Sequence, residues 1–142
     1  MKVAIGCDHA GYELKEAVKE KLEKEGYEIL DVGTYGPESV DYPIYGKKVG
    51  EAVASGLVDR GIAICGSGIG ISIAANKVKG VRCALCTSVE MAEMSRRHND
   101  ANIIAMGARM ISKDLAFAMI DKWFETGFEG GKHLKRIKML DE

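Results

Sequence analysis

Short apolar segments alternate with amphipathic helical patterns along the whole sequence, and this alternation constrains the fold more than any other feature. Apolar side chains recur at helical spacing in the intervals between the segments. Five segments are predicted to be strands: 3–7, 27–32, 61–65, 81–86 and 102–107. The third, Gly61-Ile62-Ala63-Ile64-Cys65, is apolar on both faces. Such strands, each followed by a helix, predict a mostly parallel sheet that is covered on both sides.

The helical intervals carry recognisable start and stop signals. Gly26 is a natural stop for the first helix, Pro43 suits the first turn of the second, and Ser112 is a candidate N-cap. Six helices are predicted: 12–25, 43–55, 71–77, 88–97, 112–126 and 133–140. We therefore expect a three-layer α/β/α fold of the Rossmann-like kind, with a five-stranded parallel sheet, in a single domain spanning residues 1–142. The order of the strands stays open.

Composition excludes several classes of protein. The chain has 142 residues, enough to bury a core without disulfides or metals. Its formal net charge of −1 argues against a nucleic-acid partner bound by bulk positive charge. No apolar run approaches the ~20 residues that a membrane helix needs. No signal peptide is recognisable, so we expect a cytoplasmic protein.

The cysteines do not predict a disulfide scaffold or a metal site. They are Cys7, Cys65, Cys83 and Cys86. Cys83 and Cys86 have the spacing of half a zinc site, but they lie in one predicted strand, where an odd offset places them on opposite faces. A metal would need His9, His98 or His133 to converge on one thiol. We therefore expect no metal and no cofactor.

The candidate site follows from the rule that ligands bind at the carboxyl ends of parallel strands. We expect three segments to form it: Cys7–Gly11, Cys65–Gly70 and Arg96–Asp100. The glycine-rich second segment lets backbone N–H groups approach an anion at a helix N-terminus. It lacks the dinucleotide and P-loop patterns, and the alternative is a tight turn without a ligand.

Cys65 is a candidate nucleophile or base, because a cysteine that enters a helix N-terminus is favoured as a thiolate. The alternative is a small buried apolar residue, which is the interpretation that we favour for Cys7. Asp8 and His9 form an ionisable pair at another strand end. Asp8 could simply cap the following helix, but convergence with the Cys65 loop favours a polar site.

Two basic regions leave alternatives open. Lys132 and Arg136 lie four residues apart within a basic run, so a helix places them on one face. That face is either solvated, which we favour from local context, or a phosphate clamp. The segment from Arg96 to Asp100 is either part of the site or a solvated helix end.

Taken together, several motifs resemble the ribose-5-phosphate isomerase type B family, which also contains galactose-6-phosphate isomerase subunits and allose-6-phosphate isomerases. The resemblance runs essentially from end to end, with the motifs in the same order and spacing. The motifs are Gly6-Cys7-Asp8-His9-Ala10-Gly11, Asp41-Tyr42-Pro43, Cys65-Gly66-Ser67-Gly68-Ile69-Gly70 followed by Ile73-Ala74-Ala75-Asn76-Lys77, and Ser95-Arg96-Arg97-His98-Asn99-Asp100-Ala101-Asn102.

The resemblance implies a metal-independent aldose–ketose isomerase that interconverts ribose 5-phosphate and ribulose 5-phosphate through a cis-enediol. Cys65 matches the family's base, and His98 the residue that assists ring opening. Some branches use a Glu further along the glycine loop, but here that stretch is Gly70-Ile71-Ser72. The residues that match substrate-binding positions are Asp8, His9, Tyr42, Gly66, Ser67, Gly68, Ile69, Gly70, Asn99, Arg109, Lys132 and Arg136.

Within that set the resemblance implies particular roles. Asp8 would bind sugar hydroxyls, the loop amides would hold the developing oxyanion, and the phosphate would lie among His9, Arg109, Lys132 and Arg136. Lys132 stands where an Arg is common in the family. A Lys keeps the positive charge but cannot form the two parallel hydrogen bonds that an Arg makes to a phosphate.

The resemblance also implies partners. The substrate would be a small phosphosugar, and the chain would form a homodimer, or a dimer of dimers, with each active site shared between subunits. Two alternatives are a hexose-6-phosphate isomerase for allose or galactose on the same scaffold and a non-catalytic sugar-phosphate-binding protein.

Overall fold

Five parallel strands form one sheet in the computed structural model, which describes residues 1–142. The strands are β1 (Lys2–Cys7), β2 (Glu28–Gly33), β3 (Arg60–Cys65), β4 (Cys83–Leu85) and β5 (Ile103–Gly107). Their order is β2-β1-β3-β5-β4, which the sequence had left open. β3 is the central strand, paired with β1 on one side and β5 on the other. The predicted parallel sheet is confirmed.

Six α-helices lie within two residues of their predicted bounds. They are α1 (Tyr12–Lys24), α2 (Tyr42–Ala54), α3 (Ile69–Asn76), α4 (Val89–Arg97), α5 (Lys113–Glu125) and α6 (Lys132–Leu140). Ser112 is the predicted N-cap of α5, since its Oγ accepts a hydrogen bond from the Leu115 N–H at 3.1 Å. None of these helices is long and apolar enough to span a membrane.

Two hydrophobic cores lie on the two faces of the sheet, as a three-layer fold requires. Successive residues of β3 alternate between them: Ile62 and Ile64 belong to the core shared with α1, α4 and α5, and Ala63 and Cys65 to the core beneath α2 and α3. The second core contains more small residues, and α2 and α3 pack closely over it.

The fourth strand differs from its prediction. The sequence suggested a buried strand over 81–86, but β4 has three half-buried residues and pairs only with β5. It lies at the edge of the sheet, where the Asn76 side-chain amide bonds to the Cys83 N–H and C=O at 2.8 and 2.9 Å. Cys83 and Cys86 face opposite cores, as predicted.

The direction of the strands corrects one further expectation. Arg96–Asp100 was expected beside the other candidate segments, but it precedes β5 instead of following a strand. α4 begins at the carboxyl edge of the sheet and runs back, so its last residues lie at the amino edge. Of the three candidate segments, only Cys7–Gly11 and Cys65–Gly70 lie at the carboxyl edge.

Candidate active site

A cleft of about 590 Å³ opens at the carboxyl edge, above the ends of β1, β3 and β5. Eight of the predicted site residues line it. The lining consists of Asp8, Tyr42, Cys65, Gly66, Ser67, Ile69, Gly70, Ile73, Arg109 and Met110. Ile73 and Met110 were not predicted, because exposed apolar residues carry no local signal for a site. We call this the Cys65 cleft.

Cys65 ends the central strand, and its thiol is enclosed by the loop that follows. The residue is 4% exposed, and the Gly68 N–H donates to its Sγ at 3.2 Å. Since α3 begins at the next residue, Ile69, the positive end of that helix also faces the thiol. A donated N–H and the positive end of a helix are both suited to stabilise negative charge on a sulfur.

Gly68 is required by this geometry. Its φ of 80° lies in the left-handed region, and a Cβ there would come within 2.6 Å of the Leu85 side chain and 2.7 Å of the Met106 backbone. The resulting turn leaves the N–H groups of Ser67 and Gly70 without hydrogen-bond partners in the chain. Free amides beside a thiol can stabilise an oxyanion.

The other three cysteines lack this setting. Burial raises the pKa of Cys7 and of Cys83 to about 12, and that of Cys86 to about 11. All four thiols are free. The structural interpretation of Cys7 fits its complete burial in the core between β1 and α1.

Asp8 and His9 stand at the end of β1, beside the cleft. Asp8 caps a short 3₁₀ turn over 9–11, since its Oδ1 accepts from the N–H groups of Ala10 and Gly11 at 3.0 and 3.1 Å. Capping, the alternative interpretation of Asp8, is therefore observed, but for the 3₁₀ turn that precedes α1. The residue lines the cleft as well. His9 Nδ1 accepts from the Val40 N–H at 3.1 Å, so the proton is assigned to Nε2.

Arg109 supplies a cation to the cleft. It follows β5, and its N–H donates to the Gly66 C=O at 3.0 Å, which fixes the backbone against the glycine loop. Arg82, Arg96 and Arg97 each have a carboxylate partner. Arg109 has none, so its guanidinium remains available to an anion.

The four remaining predicted residues lie at the amino edge of the sheet. They are His98, Asn99, Lys132 and Arg136. His98 caps the C-terminus of α4, and Asn99 lines a separate cleft of about 370 Å³. Lys132 and Arg136 are exposed on α6 without ion-pair partners. One chain therefore does not bring them to the Cys65 cleft.

Glu129 and His133 join His98 in what we call the amino-edge cluster. The His98 and His133 rings stack with centroids 4.5 Å apart. Glu129 lies between them, 3.9 Å from His98 Nε2 and 3.6 Å from His133 Nε2. Loss of hydration lowers the pKa of His133, and the neighbouring His98, Lys132 and Arg136 lower it further, against the opposing effect of the Glu129 carboxylate.

Nothing in the local sequence predicted Glu129. It belongs to the connection between α5 and α6, and its N–H donates to the Arg97 C=O at 3.0 Å. Its Oε2 accepts from Arg97 Nε at 2.7 Å. Only tertiary folding brings this connection back to the end of α4.

Comparisons with known proteins find similar chains that match this one over nearly its whole length. The family model described as Ribose/Galactose Isomerase matches residues 3–140. The chain is 45% identical to ribose-5-phosphate isomerase B of Escherichia coli (strain K12), over 98% of this chain and 93% of that one. It is 41% identical to galactose-6-phosphate isomerase subunit LacB of Clostridium acetobutylicum, over 100% and 83%. The solved structure of Clostridium thermocellum ribose-5-phosphate isomerase B matches with a TM-score of 0.98 and 56% identity, over 99% and 95%.

Proposed function

This chain belongs to the ribose/galactose isomerase family, and on that premise we propose that it interconverts ribose 5-phosphate and ribulose 5-phosphate without a metal ion. The observation that carries the proposal is the position of the Cys65 thiol. It accepts a hydrogen bond from the Gly68 N–H at the floor of a cleft that is lined with free backbone amides. We treat residues 1–142 as one isomerase domain, and the cytoplasmic location stays a prediction.

Aldose–ketose isomerisation moves one proton between C1 and C2 of the open-chain sugar. The Cys65 thiolate removes the proton from C2 of the aldose, and the same sulfur returns it to C1. The proton of the C2 hydroxyl passes to the C1 oxygen, so the C1 aldehyde becomes a hydroxyl and the C2 hydroxyl becomes a ketone. Negative charge develops on the C1 oxygen as the cis-enediol forms. The free N–H groups of Ser67 and Gly70 can donate to that oxygen, and one such donor is typically worth about 10²–10³ in rate.

Ribose 5-phosphate is mostly a closed furanose, so the ring must open before C2 becomes acidic. We assign this step to His98, assisted by Asp8. An imidazole can move the proton between the ring oxygen and the anomeric hydroxyl near neutral pH. Asn99 and Tyr42 would contact the remaining hydroxyls.

Because His98 lies at the opposite edge of the sheet, we propose that a second copy of the chain completes each Cys65 cleft. A two-fold dimer would place the amino-edge residues of one subunit over the cleft of the other, and produce two equivalent sites. The rim of the cleft supports this arrangement, since several of its large apolar residues are exposed. They are Tyr42, Ile69, Ile73 and Met110.

The phosphate would lie where the cations of the two subunits meet. His9 and Arg109 belong to the cleft side, and Lys132 and Arg136 to the partner's side. Arg109 and Arg136 can each hold a phosphate through two N–H groups, whereas Lys132 contributes a point charge. Binding of the phosphate anchors the sugar remotely and positions C1 and C2 against the thiol.

The decisive experiment follows hydrogen exchange at C2 of ribose 5-phosphate in D₂O by NMR, with EDTA present. We expect exchange together with isomerisation in the wild type, and neither in Cys65→Ala. Cys86→Ala is the matched control, because that buried thiol faces the other core. Binding of the sugar without exchange would contradict the proposal and favour a non-catalytic sensor.

A second candidate is isomerisation of a hexose 6-phosphate on the same scaffold. The similarity to a galactose-6-phosphate isomerase subunit favours testing it. We expect kcat/KM to be highest for ribose 5-phosphate in a panel that also contains allose 6-phosphate and galactose 6-phosphate. A higher value for either hexose would reassign the substrate.

A further inference from the structure

The amino-edge cluster places two imidazoles and a carboxylate together. His98, Glu129 and His133 each offer one ligand atom, and these three atoms lie within 4.8 Å of one another. Their side chains are 41%, 38% and 15% exposed, so an ion in solvent can reach them. These ligands differ from the set that the sequence suggested, in which a histidine and a cysteine thiol would bind the metal together.

The chemistry of the three ligands selects a class of metal ion. Two histidines and one glutamate form a donor set that binds Zn²⁺ with its fourth position open. Mg²⁺ and Ca²⁺ prefer oxygen ligands and are disfavoured by the two imidazoles. A tetrahedral ion with bonds of about 2.1 Å holds its ligand atoms about 3.4 Å apart, so the three ligand atoms must move closer together and one ring must change its orientation.

The surrounding structure supports one ligand and leaves another adjustable. Arg97 holds Glu129 through Oε2, which leaves Oε1 on the His133 side at 3.6 Å from Nε2. The His98 and His133 rings are stacked with an interplanar angle of 14°, so their lone pairs run side by side. One ring must turn edge-on to share an ion, and His98 is the better placed to turn because its side chain is the more exposed of the two.

We propose that His98, Glu129 and His133 form a facultative site for a borderline transition-metal ion such as Zn²⁺, and that occupation of this site inhibits the isomerase by withdrawing His98. The inhibitory half of this proposal, that a bound ion inhibits the isomerase, rests on the ring-opening role of His98 in the proposed function. The binding half stands on the three ligands alone. The ion is an inhibitor here and takes no part in the reaction.

The binding test uses Co²⁺ as a spectroscopic probe in the Cys65→Ser variant, because the Cys65 thiolate is the main competing ligand. We expect a visible d–d band that saturates at one Co²⁺ per chain and disappears when Zn²⁺ is added. Replacing His133 by Gln in the same background should weaken Co²⁺ binding at least tenfold. A band absent from the Cys65→Ser variant, or unchanged by His133→Gln, would overturn the site.

The inhibition test uses the active enzyme. Micromolar Zn²⁺ should inhibit the wild type, and EDTA should reverse the inhibition. Glu129→Gln should raise the half-inhibitory Zn²⁺ concentration at least tenfold. Glu93→Gln is the matched control, since Glu93 also contacts Arg97 but lies outside the three ligands. Equal Zn²⁺ sensitivity in all three proteins would place the inhibitory ion elsewhere and overturn the inhibitory half.

The two readouts separate the inference from the function on which it rests. Saturable Co²⁺ binding without inhibition by Zn²⁺ would support the site while contradicting the ring-opening role of His98. Inhibition without Co²⁺ binding in the Cys65→Ser variant would assign the ion to the thiol and overturn the site.

Discussion

The two edges of the sheet carry functional groups of different kinds. At the carboxyl edge, a buried thiol and the backbone amides of a glycine turn are held by strand ends and by the first turn of α3. At the amino edge, the groups are exposed side chains on the end of α4, the connection before α6, and α6 itself. The first set suits charge stabilisation at fixed positions, and the second suits proton transfer and phosphate binding. The proposed reaction needs groups from both edges, and this is the reason for proposing a site shared between two subunits.

Mixing two inactive variants tests the proposed division most severely. Cys65→Ala and His98→Asn should each lower kcat by about 10²–10⁴, because each removes a proton-transfer group. If the site is shared, unfolding and refolding an equal mixture produces mixed dimers with one intact site. Activity should then return to about a quarter of the wild-type value per chain, which follows from random pairing in a two-fold dimer. The measurement is the steady-state rate with ribose 5-phosphate.

Each variant refolded alone is the control for this mixture and should stay inactive. If the mixture also stays inactive while sedimentation shows dimers, both groups must act within one chain. If sedimentation shows only monomers, the shared site is wrong.

A glycine substitution tests how rigid the carboxyl edge is. Gly68→Ala should lower the free energy of unfolding by about 3 kcal/mol, from a left-handed φ together with overpacking against Leu85 and Met106. Gly56 has nearly the same φ of 79° with open space around it. Gly56→Ala should therefore cost only about 1 kcal/mol. Urea unfolding measures both values, and equal values would mean that the turn adapts to a Cβ.

The same contrast shows what the sequence could and could not predict. Alternating apolar segments and capping residues such as Ser112 predicted the elements, because these signals are local. The site at the carboxyl edge followed from the topological rule, since Cys65 and the glycine loop directly follow a strand. Arg96–Asp100 was misplaced although the signal was present, because the segment precedes a strand. Strand order and the position of Glu129 depend on tertiary pairing, which no local pattern records.

A charge substitution on α6 tests whether the amino edge binds phosphate. Arg136→Ala should raise KM for ribose 5-phosphate by about 10-fold or more with little change in kcat, since a charge-assisted hydrogen bond is worth about 1.5–3 kcal/mol. Lys135→Ala is the matched control, being an exposed cation on the same helix outside the predicted contacts. KM for unphosphorylated ribose should not change in either variant. Equal effects of the two substitutions would make the basic run a solvated face.

The smallest expected effect is on stability at the amino edge. Glu129→Gln removes the ion pair between Glu129 and Arg97, whose side chains are 38% and 43% exposed. Exposed pairs contribute about 0.2–1 kcal/mol, so Tm should fall by only about 1–3 °C. By contrast, Asp31→Asn breaks a pair with the fully buried Lys15 and should cost about 3–5 kcal/mol. Calorimetry of both variants measures the difference. A small loss for Glu129→Gln would mean that Glu129 adds little to folding, whereas a loss as large as that of Asp31→Asn would make Glu129 a structural residue.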